Sequence, residues 1–205
     1  MDIDSGVITE VDSSRMEDLT QYTWSPDSRF LAYVKTGASR NPSIWTYALE
    51  TRRSTQLTPD DTAETNPVFD PKGRWLYFLS NRDYNLAFSS FEFNYLYNNA
   101  TRIYAGSLAA DGPALFRPKS DEVRPAAPAQ AAQGGRRGGS GNGDETPAPV
   151  RVRIDAEGFN ARVVALKAPS GNYSQLAANA EGVFFIGNGG PGSAPELRYL
   201  ATEGD

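Results

Sequence analysis

The sequence predicts an all-β fold: a partial, open β-propeller of about three to four four-stranded blades. Three observations carry that expectation. From Gln21 onward, short runs rich in aromatic and β-branched residues alternate with clusters of Pro, Gly, Asp, Asn and Ser, the texture of strands joined by tight turns. Two of those runs, Phe30–Val34 and Trp75–Leu79, are apolar at nearly every position, which marks strands buried on both faces. One block also recurs. Tyr22-Thr23-Trp24-Ser25-Pro26-Asp27-Ser28-Arg29-Phe30-Leu31-Ala32-Tyr33 matches Pro67-Val68-Phe69-Asp70-Pro71-Lys72-Gly73-Arg74-Trp75-Leu76-Tyr77-Phe78 at an offset of 45 residues. An all-β unit of roughly 40–45 residues has the period of a propeller blade.

Residues 1–19 are a polar, acidic extension, holding either a strand that ends near Val11 or a short turn of helix. Residues 20–118 hold the repeated blades. In each copy an aromatic residue (Trp24, Phe69) closes one strand, and Pro26 or Pro71 presets φ for a turn that Asp27-Ser28 or Lys72-Gly73 completes. Arg29 and Arg74 then keep the turn hydrated before the next strand enters the core. Ser25 and Ser28 are assigned to turn hydrogen bonding. Residues 119–149 are expected to be a disordered loop. From Pro125 to Pro149 the chain holds four Pro, six Ala and six Gly among 25 residues, too little apolar surface to offset an ordering entropy of roughly 1–2 kcal/mol per residue. Residues 150–205 return to strand texture at Val150–Ile154, Ala161–Lys167, Tyr173–Leu176 and Val183–Ile186, with turns at Asp155–Gly158 and Pro169–Asn172. Ala178–Phe185 reads as a third, worn copy of the repeat that has lost its proline.

Composition narrows the chemistry. The 205 residues contain no His and no Cys, so no Ser-His-Asp triad, histidine-ligated zinc, thiol nucleophile or disulfide can be completed within them. A net charge of −5 argues against a dedicated nucleic-acid binder. Gly134–Gly139, an RGG-like patch, is read as solvated loop rather than an RNA contact. No apolar stretch approaches a membrane span, and Met1–Ser5 lacks the basic start and apolar core of a secretion signal.

Candidate sites are few. Phe91, Phe93, Tyr95 and Tyr97 recur at every second position and therefore line one face of a strand. They are either packing within a blade or the lining of a groove that contacts peptide. Gly187-Asn188-Gly189-Gly190-Pro191-Gly192 imitates a dinucleotide-binding loop, but Pro191 removes an N–H donor and no crossover helix follows. A glycine loop between blades is expected there. The acids Asp60, Asp61 and Glu64, and Asp111 with Asp121 and Glu122, do not have the spacing of a calcium loop and are read as solvated turns. Asn99-Ala100-Thr101 and Asn172-Tyr173-Ser174 match the glycosylation triplet, a pattern common by chance. No catalytic, metal or cofactor residue is assigned.

Trp24-Ser25-Pro26-Asp27, Gln56-Leu57-Thr58, Asn66–Gly73 and Leu79-Ser80-Asn81-Arg82-Asp83 resemble the WSPDG-type (PD40, WD40-like) repeats of Tol-system propellers and their relatives. A narrower resemblance lies in Phe88–Tyr95, Thr101–Tyr104, Phe116–Glu122, Ile154–Phe159 and Arg162–Leu166, which in that order are similar to the N-terminal propeller region of tricorn-type serine peptidases. It covers nearly all of residues 20–200. The family's catalytic Ser, His and Glu lie in a region not matched here, so no catalytic residue carries over. The resemblance implies a non-catalytic segment that gates or guides peptide substrates to a catalytic region outside this chain. It further implies the remaining propeller and catalytic domains as partners, a homo-oligomer, and a cytoplasmic location. The alternatives are a Tol-type periplasmic protein-binding propeller, or the propeller of a prolyl-oligopeptidase-type enzyme. Six or seven blades need roughly 240–315 residues, so the sequence is read as a piece of a larger protein.

Overall fold

Each copy of the repeated block becomes a strand, a five-residue turn and a second strand in the same register. The structure is a computed structural model that describes residues 4, 6–17, 19–83, 86–88, 95–97, 100–116, 149–189 and 192–202. The first sheet contains β1 (Tyr22–Trp24), β2 (Phe30–Thr36), β3 (Pro42–Ala48) and β4 (Arg53–Gln56), antiparallel and adjacent in chain order. The second begins with β5 (Glu64–Phe69) and β6 (Trp75–Ser80). Trp24 pairs with Leu31 in the first and Phe69 with Leu76 in the second, and the 45-residue offset relates the two pairs. The turns close alike: Ser25 N–H donates to Phe30 O at 2.9 Å, and Asp70 N–H to Trp75 O at 2.9 Å. Both turns need one left-handed residue, Ser28 at φ 59° and Gly73 at φ 69°, where glycine carries no Cβ penalty. Ser25 fills its expected role, its Oγ accepting Phe30 N–H at 2.9 Å and donating to Asp27 Oδ1 at 2.7 Å.

After β6 the chain makes a separate hairpin, β7 (Leu86–Phe88) with β8 (Tyr95–Tyr97), then rejoins the second sheet as β9 (Arg102–Ser107). The fourth strand of that sheet is β10 (Val163–Ala165), paired to β9 through Val164 opposite Ala105. The segment that composition sets apart, 119–149, thus connects neighbouring strands of one sheet. A third sheet holds β11 (Asn172–Ala178), β12 (Gly182–Asn188) and β13 (Glu196–Ala201). Its first turn is tighter than the other two. Ala178 pairs directly with Val183, and the Asn179 side chain accepts the N–H groups of Glu181 and Gly182 at 2.9 and 2.8 Å.

Burial on both faces of β6 is what its sequence predicted. Leu76 and Phe78 join Ala32, Ile44, Leu57, Phe69, Tyr104, Leu108, Val152 and Phe159 in a core between the first and second sheets. Trp75, Tyr77 and Leu79 point the other way, into a core with Ile103, Ala105, Leu166, Val183 and Phe185 between the second and third sheets. Because the second sheet lies between two others, Phe69 is 5% exposed, whereas its counterpart Trp24 is 52% exposed. Register is a property of the repeat; burial depends on the neighbours. The sheets fan: β5 runs beside β1, β2 and β3, and β11 runs beside β5 and β6, so the first strand of each sheet lies where the three converge. These are successive blades of an open propeller.

Several local expectations change. Residues 6–17 form neither strand nor helix. They are tied to β2 of the first blade by Tyr33 Oη and Lys35 Nζ, which donate to Asp12 at 2.5 and 2.7 Å. Val150–Ile154 is extended but belongs to no sheet, because Val152 N–H donates to the Asp27 carboxylate at 2.8 Å instead of to a ladder. Val152 is 2% exposed, and it fits over Gly73, where a Cβ would meet Val152 Cγ2 at 2.8 Å and Val150 Cγ1 at 2.9 Å. Of Ala161–Lys167, only Val163–Ala165 is strand, after a 3-10 turn at Phe159–Arg162. β13 is a strand the sequence reading passed over, although Leu197 and Tyr199 alternate with polar residues.

This strap supplies a first prediction. Partial burial works to raise the Asp27 pKa, but the Ser25 hydroxyl, Val152 N–H and Arg29 N–H outweigh it and hold the carboxylate below its ordinary value. Asp27→Ala is therefore expected to cost about 1–2 kcal/mol. That difference should shrink as pH falls through the Asp27 pKa, because a depressed carboxylate stabilises only while ionised. Urea unfolding of parent and variant at neutral and acidic pH checks both statements.

Candidate functional site

The strands at the line of convergence, β1, β5 and β11, each have one ladder partner among the described residues, so one backbone edge of each is left open among them. Two of them carry a β-bulge. In β5 the register shifts between Thr65 and Val68, and in β11 between Ser174 and Ala177. Each bulge sets two residues against one. At the first bulged position of each stands a non-glycine residue in the left-handed region, Asn66 at φ 53° and Gln175 at φ 53°. Among the described residues, the other non-glycine positive φ values (Ser28, Arg40, Arg52) fall in turns. The first blade places Gln21 at the corresponding position, three residues before Trp24 as Asn66 precedes Phe69 and Gln175 precedes Ala178. Gln21 Oε1 accepts the Asn66 N–H that the bulge withdraws from the ladder, at 2.7 Å.

Beside Asn66, Glu64 is 0% exposed, which corrects its assignment to a solvated turn; Asp60 and Asp61 do lie exposed. The Glu64 Oε1 atom accepts from Thr62 Oγ1 at 2.7 Å, Ser80 Oγ at 3.0 Å and Arg82 Nη2 at 2.8 Å. Burial raises the Glu64 pKa against the opposing pull of those three donors. Arg82 in turn lies over the rings of Phe78 and Tyr104, with its carbon Cζ 5.4 and 4.9 Å from their centroids. Its Nη1 reaches Asn160 Oδ1 at 3.1 Å, which ties the chain beyond residue 149 to this end of the second blade. Asp83 pairs with Arg102 alongside.

The β7–β8 hairpin leaves from this same end, since Ser80 closes β6 opposite Glu64 and opposite Arg102 of β9. Of the aromatic stripe, Phe91 and Phe93 lie outside the described residues. Tyr95 and Tyr97 fall on β8, opposite Phe88 and Leu86; their side chains also lie outside the described residues. At the opposite end an apolar cleft of about 280 Å³ is lined by Trp75, Pro113, Leu115, Phe116, Arg162 and Val164.

The remaining candidates resolve simply. β12 ends at Asn188, and the glycine run joins it to β13 within the third sheet, which corrects the expected loop between blades; no helix follows among the described residues. Asn172 opens β11. Asn99, Gly134–Gly139, Asp121 and Glu122 lie outside the described residues. No group of three His, Cys, Asp or Glu able to hold a metal occurs among the described residues. None of their helices is long and apolar enough to cross a membrane. The bulge carboxamides escaped the sequence reading, though one signal was present: Gln21 and Asn66 stand 45 residues apart, in step with the repeat. The third copy hid Gln175 because its turn is two residues shorter.

Comparison with known proteins agrees with this architecture. Residues 1–194 match the family described as the tricorn protease second beta propeller domain. The chain is 28% identical over 192 residues to tricorn protease homolog 1 of Streptomyces coelicolor, covering 89% of this chain and 16% of that protein. It is 26% identical over 131 residues to the tricorn protease of Thermoplasma volcanium, covering 61% of this chain and 13% of that one. Its fold matches the crystal structure of the tricorn protease with a TM-score of 0.70 at 18% identity, over 97% of this chain and 19% of the other. A putative TolB from Agrobacterium tumefaciens matches with a TM-score of 0.52 at 11% identity, over 92% of this chain and 47% of that one, a likeness of fold alone.

Proposed function

The chain belongs to the family of tricorn protease second β-propeller domains, and from that premise we propose that it is a non-catalytic wall of a passage that guides peptide substrates. The peptidase chemistry of the whole protein resides outside these residues, which contain no histidine and cover 16% of the length of the Streptomyces relative. The observation that carries the reading is the convergence of β1, β5 and β11. Three open, hydrogen-bond-rich edges lie side by side, the surface that the wall of a passage presents. Guidance of this kind is physical. Width and lining set which peptides reach a distant nucleophile, while the reaction itself is left to other domains.

The test uses the full-length protein and a form lacking this propeller. Substrates are a short fluorogenic peptide and an unstructured one of about 15 residues, an extended span of roughly 50 Å. Removal is expected to change the ratio of kcat/KM between long and short substrates while leaving the short one nearly unaffected. Equal ratios in both forms would remove the guiding role. The remaining domains are the partners of this segment, and a cytoplasmic homo-oligomer is the assembly in which it works.

A further inference from the structure

Asn66 and Gln175 stand at the bulges of the inner strands β5 and β11, three residues before each strand ends, and Gln21, just before β1, stands three residues before the end of that strand. We propose that they form a carboxamide collar that hydrogen-bonds the main chain of an extended peptide irrespective of its side chains. The proposal deepens the peptide-guiding reading and rests on it.

The backbone supplies the first argument. Asn66 and Gln175 sit at φ 53°, a conformation that glycine adopts freely and side-chain-bearing residues avoid. Asparagine is the more tolerant of the two, and glutamine has no local compensation of that kind. A strained residue held at the same place in two blades points to a use for its side chain. The free hydrogen-bonding capacity supplies the second. The Asn66 and Gln175 carboxamides have no hydrogen-bond partner among the described residues, and the Gln21 carboxamide uses only its oxygen, on Asn66 N–H.

Chemistry then selects the ligand. A carboxamide is a donor and an acceptor on one planar group, the same pair that a peptide bond presents. It is uncharged, so it neither favours nor rejects charged side chains. The bulges complete the case. They interrupt the β5–β6 and β11–β12 ladders and bend each inner strand, so its open edge is not a continuous template for an incoming strand there. Side-chain amides meet the passing main chain at the place where backbone pairing is interrupted, allowing contact without permanent strand addition.

Glycine substitution separates this role from simple edge protection, because Asn66→Gly with Gln175→Gly keeps the left-handed backbone and the bulges while removing both carboxamides. The experiment measures binding of an unstructured Gly-Ser peptide of about 15 residues to the full-length parent and to this double variant, by fluorescence anisotropy. A second peptide, N-methylated at alternate residues, lacks half of the main-chain donors. The double variant is expected to bind the plain peptide about tenfold more weakly, with Tm unchanged or raised. The N-methylated peptide is expected to bind both proteins equally weakly. Unchanged affinity in the variant overturns the collar while leaving the guiding role standing. So does tight binding of the N-methylated peptide to the parent. If the parent binds neither peptide, the guiding reading itself fails and the collar with it.

Discussion

Arg82→Ala is expected to destabilise the chain by about 3–5 kcal/mol, because it strands a buried carboxylate. Glu64 has no contact with solvent, and of the donors to its Oε1 atom (Thr62, Ser80 and Arg82) Arg82 alone is charged. Thr62 and Ser80 remain in the variant, but neutral hydroxyls do not balance a buried charge. The same substitution also strips the guanidinium from the Phe78 and Tyr104 rings and from Asn160. The pH dependence has a definite sign. Burial raises the Glu64 pKa above its unfolded value of about 4.3. Over the interval between the unfolded and folded values, the native state holds the proton more firmly than the unfolded chain does, so stability falls as pH rises. Without Arg82 the folded value climbs further, and the interval widens toward neutrality. Urea unfolding of parent and variant across that range should give curves that diverge as pH increases. A uniform difference at all pH values would mean that Arg82 acts through packing rather than through charge. In a second comparison, Glu64→Leu combined with Arg82→Met should recover most of the loss, since an apolar pair of similar volume needs no compensation.

Phe159→Ala should cost a similar amount, about 3–5 kcal/mol. Phe159 is buried in the core between the first and second sheets, and Gly106 of β9 exists as glycine because of it. A Cβ at 106 would come within 2.2 Å of the Phe159 ring. The ring docks the 3-10 turn Phe159–Arg162 against β9, and that turn delivers β10 to its place at the sheet edge. Truncation therefore opens a cavity and loosens the only link by which the chain beyond 149 joins this sheet as a strand among the described residues. Native-state hydrogen exchange should quicken at the amides of β9 and β10 more than in the first blade. Gly106→Ala alone should destabilise through overlap, but added to Phe159→Ala it fills part of the vacated space, so the two effects should fall short of additivity. Strict additivity would show that the two residues do not share one packing site.

The same elements show where sequence reading succeeds and where it stops. The turn at Ser25–Phe30 and its copy at Asp70–Trp75 were legible because their chemistry is contained in six consecutive residues, and both fold with equivalent bonds. Trp75–Leu79 announced burial on two faces because every position had to be apolar for that to happen. Glu64 reads locally as a solvated acid because its partners Ser80 and Arg82 are 16 and 18 residues away, beyond any local pattern. Val150–Ile154 has strand composition, yet the acceptor for Val152 N–H is Asp27, 125 residues earlier, and a side chain cannot extend a ladder. β13 escapes local reading because it is a mostly exposed edge strand, Glu196–Ala201, whose few apolar residues stand among polar ones after a glycine run.

By itself the sequence determined the blade period, the turns and the doubly buried strand, all of which follow from residues close enough along the chain to interact whatever the rest does. Tertiary structure alone decided that β10 completes the second blade, that Glu64 is buried against Arg82, and that Gln21 reaches Asn66 across two blades. Those outcomes depend on segments brought together only when apolar faces stack. The stacking buries area contributed by all three sheets at once, so no single stretch of residues encodes it.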